Sequence, residues 1–203
     1  MGMTKLDDGR LVLANAEYIH ITPYVDADTP GTTTYDVVNI VGDSLSFTAD
    51  DNSVNSKESE FRDEPLFETI TLGKYQFAAN CIDFRSEVME AIYGWEKDEK
   101  GNVFAPAGYV DRYAVVEIGF RNENIVVVAP KLKLNSKATI GSLKTGTAEG
   151  SLAGTAYSKE MTVGSATKTT SLAFLLRKGD GGTANSYTIK AKTFNCGEGV
   201  QGS

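Results

Sequence analysis

The chain has 203 residues and a formal net charge of -7, a length that one well-buried core can fill and a sign of charge that argues against a general nucleic-acid binder, which needs clustered Lys and Arg to displace counterions. No run of about 18 apolar residues occurs, and residues 1–10 carry charge where a secretory signal is apolar, so the expectation is one domain over 1–203 with no membrane span and no export signal. Cys81 and Cys196 are too few and too far apart for a disulfide framework or a zinc site and read as buried free thiols.

In chain order, residues 17–22 read as the first strand, with Tyr18, His20 and Thr22 alternating with Ile19 and Ile21. A loop at 23–32 follows, containing Pro23, Pro30 and Gly31. Residues 33–41 are β-branched and alternating, and Leu45, Phe47 and Ala49 continue in the same style. Residues 50–65 are the most polar stretch of the chain and read as a long arm without structure of its own. Ordering it in a lone subunit costs about 1 to 2 kcal/mol per residue, and only Val54 and Phe61 offer apolar surface in return. Residues 66–79 alternate again. Leu66, Ile70 and Leu72 have one parity and Tyr75, Phe77 and Ala79 the other, which predicts a bulge or tight turn at Gly73-Lys74.

Residues 83–94 carry the chain's single helix signal. Asp83 is placed to cap the first N–H groups, Glu87 lies near the positive end of the dipole, and Gly94 can end the helix in the left-handed conformation. About three turns are expected, spanning roughly 84–93. Phe84, Val88, Ala91, Ile92 and Trp95 form one apolar stripe, so the packing face is Phe84, Val88, Ile92 and Trp95, with Arg85, Glu87 and Glu90 outward. Such a stripe requires a sheet to cover.

A solvated turn at 96–102 leads to the clearest hairpin, 112–134. Ala114, Val116, Ile118 and Phe120 form one face, Arg121-Asn122-Glu123-Asn124 turns, and Val126, Val128, Leu132 and Leu134 return, with Lys131 and Lys133 on a wet face. Pro130 makes that strand an edge or marks a bulge. Residues 138–168 are rich in Gly, Ser, Thr and Ala and promise little core; they read as extended strand, flexible loop or a surface for a neighbour. Two last strands, 169–177 with Leu172, Phe174 and Leu176, and 187–194 with Tyr187, Ile189 and Ala191, are joined by a loop at 178–182. The elements together predict a mainly β domain with one covering helix.

Chemistry is sparse. The single histidine, His20, has no nucleophile motif around it and reads as structural or exposed. Asp26 with Asp28, and Asp50 with Asp51, lack the spacing of a calcium loop and read as solvated acids. Glycines 141, 146, 150 and 154 lack the lysine-threonine pair and strand-to-helix setting of a phosphate loop. Tyr35, Phe47, Phe77, Phe120 and Phe174 read as core aromatics rather than a base-stacking platform. No enzyme activity, metal or cofactor is expected.

The order of parts resembles the major tail tube protein of long-tailed bacteriophages. The features that carry the resemblance are the polar arm 50–65, the strand 67–77 leading into the 83–94 helix, the strand 113–120, and Ala129-Pro130-Lys131-Leu132-Lys133-Leu134 followed by the Gly/Ser/Thr/Ala-rich stretch. The tubes of contractile tails and of type VI secretion share that architecture. The resemblance implies a β-sandwich or barrel flanked by a helix, assembly into hexameric rings, and stacking into a hollow tube in the virion tail. It also implies assembly in the host cytoplasm, contacts with other tail proteins, and passage of DNA through an acidic lumen without specific binding. Within such a tube the arm is expected to reach a neighbour, with Phe61 filling an apolar pocket and Lys57, Glu58, Glu60, Arg62 and Asp63 pairing across the contact. The alternative is a monomeric β-sandwich binding module, such as a virion decoration protein or a cell-surface adhesin.

Overall fold

The computed structural model describes residues 16–37, 40–41, 44–59, 62–71, 73–107, 111–120, 124–139, 149–178 and 182–197. The described residues are mainly β, with several antiparallel sheets and one short helical stretch, a sandwich-like architecture.

In chain order the strands begin with β1 (Ala16–Pro23), β2 (Tyr35–Val37), β3 (Ser46–Ala49), β4 (Ser53–Ser59), β5 (Arg62–Thr71) and β6 (Tyr75–Cys81). The helix α1 (Ser86–Val88) runs directly into a π-helical turn, Met89–Tyr93. Then come β7 (Glu96–Lys97), β8 (Val103–Phe104), β9 (Arg112–Phe120), β10 (Ile125–Leu134), β11 (Lys137–Thr139), β12 (Glu149–Ala156), β13 (Lys159–Val163), β14 (Ala166–Thr170), β15 (Ala173–Leu176), β16 (Ser186–Ile189) and β17 (Lys192–Asn195). The main sheet runs β2-β1-β9-β10-β12-β6-β3, with β11 added to β12 and β15 added to β10, and a second sheet runs β14-β13-β16-β17.

Both faces of the main sheet are covered at its centre. Ala114, Val116 and Ile118 of β9, with Ile19 and Ile21 of β1, join Val88, Met89, Ala91, Ile92 and Tyr93 in one core. The intervening residues Tyr18 and Val115, with Val126 and Val128, meet Met161, Tyr187, Ile189 and Phe194 of the second sheet. Successive strand residues point to opposite faces, so the helix lies on one side of the sheet and the second sheet on the other. This is why β9 reads as a continuous apolar run rather than a clean alternation.

Several expectations change. The helical stretch is shorter than three turns, and Asp83 does not cap it: the cap position is Arg85. The buried Asp83 carboxylate instead holds the Arg85 guanidinium, with Nη2 at 2.7 Å. Gly94 does end the turn, with φ of 75° and its N–H bonded to the Met89 carbonyl. At Pro130 the bulge is realised and the edge is not. Two β10 residues face one on β9 between the pairs Ala129↔Val116 and Leu132↔Ala114, so Leu132 and Leu134 share the helix-side core with Val127 and Ala129, while Val126 and Val128 face the other way.

The Gly/Ser/Thr/Ala-rich segment supplies a central strand. β12 lies between β10 and β6, and its small residues admit what packs on them: a Cβ on Gly150 would stand 1.8 Å from the Tyr93 hydroxyl. Residues 187–194 are not one strand but the hairpin β16–β17, turned at Lys190 with φ of 54°. Phe174 is not core. Ala173 and Leu175 turn toward the second sheet, leaving Phe174 60% exposed on the opposite face.

The largest departure is the polar arm. It is not structureless: β4 and β5 form an antiparallel ribbon that pairs with no other strand among the described residues. The ribbon continues β3 and β6. The pairs Ser46↔Ala78 to Ala49↔Tyr75 resume as Ser53↔Thr71 to Lys57↔Phe67 in the same register, so no residue is inserted at Gly73-Lys74. The interruption is bridged by Asp50 N–H to the Lys74 carbonyl at 2.9 Å and Gly73 N–H to Asn52 Oδ1 at 2.8 Å. At about 3.3 Å per residue, β4 carries the ribbon roughly 20 Å past its root.

Candidate functional site

Three features stand out. The first is the ribbon. Lys57 and Glu58 lie in β4, and Arg62 and Asp63 in β5, while Glu60 and Phe61 fall outside the described residues. Pro65 fits β5 because, among the described residues, this strand has a partner on one side only. Of the helix face, Val88 and Ile92 are fully buried, and Phe84 and Trp95 are partly buried against the same core.

The second is a buried polar network between the two sheets. Glu117 is 4% exposed. Its carboxylate accepts the Tyr18 hydroxyl at 2.9 Å, the Tyr187 hydroxyl at 3.0 Å and the Gly197 N–H at 2.8 Å, the satisfaction a buried charge requires. The cross-strand neighbour of Glu117 on β1 is His20, whose ring stacks on Tyr18 at 4.1 Å. Burial lowers the His20 pKa against the pull of Glu117 and Asp36. Burial likewise raises Tyr18 and Tyr187 and pushes the Cys196 thiol up to about 12. At neutral pH the tyrosines therefore donate, the thiol keeps its proton and the imidazole is neutral, and the two tyrosine hydroxyls hold the Glu117 carboxylate. Beside the network is a cavity of about 220 Å³ lined by His20, Thr22, Thr34, Glu117, Lys192 and Asn195 among others.

The third is a charged cluster on the loop after β1. Asp26 accepts the N–H groups of Asp28 and Thr29. Asp28 is not a bare solvated acid: its carboxylate faces Lys159 of β13, Lys190 of the β16–β17 turn at 3.3 Å and Lys131 of β10 at 3.9 Å. Hydrogen bonds from Lys159 and Lys190 hold its pKa below the usual carboxylate range. Lys192 bonds the Gly31 carbonyl.

Sequence reasoning missed both polar constellations. Glu117 left a signal, a lone acid inside the apolar run 114–120, whereas the lysines around Asp28 lie more than a hundred positions from it and share no motif. Among the described residues no helix is long and apolar enough to cross a membrane, and no group of three or more acids, histidines or cysteines is placed to hold a metal ion. Neither a family model nor a curated protein matches the sequence.

Proposed function

We propose that this chain is a structural subunit that self-associates into hexameric rings, stacked as the tail tube of a phage virion, through which DNA passes from capsid to host. The observation that carries the reading is the β4–β5 ribbon. A two-stranded hairpin is marginal in water without a packing partner, and this one extends from the β3–β6 edge without pairing to any other described strand. Such an element gains its stability from a surface outside the subunit.

Two further features support the reading. β2 and β3 end the main sheet with one edge each unpaired among the described residues, and closing such edges around a ring removes the hazard they carry. A net charge of -7 gives DNA phosphates little to grip.

A second reading, a monomeric binding module, is favoured by one observation, the polar cavity between the sheets. Size-exclusion chromatography across a concentration series, followed by negative-stain imaging, separates the two. The tube reading expects rings or filaments whose fraction grows with concentration. A particle of one subunit's mass at every concentration sinks it and leaves the binding module.

A further inference from the structure

Asp28 is part of a longer band. Lys74, at the root of the ribbon, lies 4.6 Å over the Tyr157 ring, Tyr157 meets Tyr113 edge-on at 6.5 Å, and Lys131 lies 4.7 Å over Tyr113. From Lys131 the band passes through the Asp28 carboxylate to Lys159 and Lys190. Three ammonium groups thus share one carboxylate, Lys74 adds a fourth farther along the band, and Asp26 beside Lys190 is the second acid, so these residues sum to a positive charge in a chain of net charge -7.

Its members differ in exposure. The Lys131 and Lys159 side chains are mostly covered, at 19% and 13% exposed, while Asp28 is 54% exposed above them. Of the three lysines that meet Asp28, Lys190 is the one open to solvent, at 45% exposed. Lys190 sits in a left-handed turn with φ of 54°, uncommon for any residue but glycine, Asn or Asp. A lysine in that place gives Asp28 its third ammonium.

We propose that this band docks the acidic surface of a second copy of the chain, with Asp28 holding the lysines in position for carboxylates arriving from outside. The inference rests on the self-associating reading above. Two copies with a charge of -7 each repel, and a cationic patch on one that meets an acidic patch on the other offsets that repulsion. A contact between unlike patches is also the heterologous kind that closes into rings.

The test is sedimentation velocity of the full chain over a range of NaCl, on the unmodified protein, Lys190→Asp, Lys159→Glu and the control Lys168→Glu, an exposed β14 lysine outside the band. Circular dichroism melts report folding. Asp tolerates the left-handed turn, so Lys190→Asp keeps its fold even where Lys159→Glu does not. The expected result is association that weakens with salt, falls about tenfold or more in Lys190→Asp with a shallower salt dependence, and is unchanged in Lys168→Glu. Folded Lys190→Asp that associates like the unmodified protein overturns the band while leaving the tube reading standing. An unmodified protein that never associates overturns both. Binding of a duplex oligonucleotide that Lys190→Asp abolishes assigns the band to nucleic acid and overturns the proposal.

Discussion

Glu117 is the residue on which the two layers are most visibly joined. Replacing it by Leu strands two buried donors, Tyr18 and Tyr187, and the part-buried Gly197 N–H, a buried donor costing about 1 to 3 kcal/mol when left unpaired, so Glu117→Leu loses several kcal/mol in urea unfolding. Tyr187→Phe removes one bond to a charged acceptor and loses about 1.5 to 3 kcal/mol. Because Tyr18 and Tyr187 share that acceptor, their double replacement departs from additivity. His20 sets a pH dependence of opposite origin. Its folded pKa is lowered by burial, so the unfolded chain takes up the proton first. Stability conferred by keeping it neutral is full above the unfolded value of about 6.5 and is lost as pH falls below it. Asp26, Asp28 and Asp98, whose pKa values are lowered by their hydrogen bonds, lose theirs only below about pH 4. Urea midpoints at pH 7.5 and 5.5 separate the two windows: His20→Gln flattens the difference, whereas an unchanged slope in that variant contradicts the assignment.

At the scale of elements, the helix depends on burial rather than on its cap, since Asp83 is engaged with Arg85 and no side chain caps the first turn. Val88 is 1% exposed, and Val88→Asp forces an unpaired carboxylate into the core at a cost of several kcal/mol, against a typical total stability of about 5 to 15 kcal/mol. A soluble, cooperatively unfolding Val88→Asp protein is the result that fails this account. Gly150→Ala drives a methyl into the Tyr93 hydroxyl and loses about 1 to 3 kcal/mol by overpacking. In a Tyr93→Ala background the same substitution costs less, which a double-mutant cycle in urea measures.

These elements also mark what the sequence disclosed. Periodicity places β1, β9 and the helical stripe well, because each has a face whose identity is set by burial alone. It fails where one residue changes the parity of a strand, as at Pro130, or where a turn is made without its usual glycine, as at Lys190. β12 was illegible because its small residues are chosen by what packs on them, Tyr93 and Leu132, and not by their own hydrophobicity. Phe174 looked like core because its exposure is decided by where β15 joins β10, and composition says nothing of that. Of the site, the lone acid in β9 could be read as unusual. The lysines that meet Asp28 could not, since only the three-dimensional fold brings them together.

For the whole molecule, the account turns on the ribbon. Among the described residues it pairs with no strand of either main layer, so the subunit's stability and its assembly are expected to be separable. Replacing residues 53–71 by a short Gly-Ser turn leaves the two-layer core intact, and the melting temperature is expected to stay within a few degrees of the unmodified protein's. The most direct measurement is negative-stain imaging of this shortened protein beside the full chain at matched high concentration. The account predicts rings and tubes from the full chain and folded, unassembled subunits from the shortened one. Tubes of normal length grown from the shortened protein would contradict it.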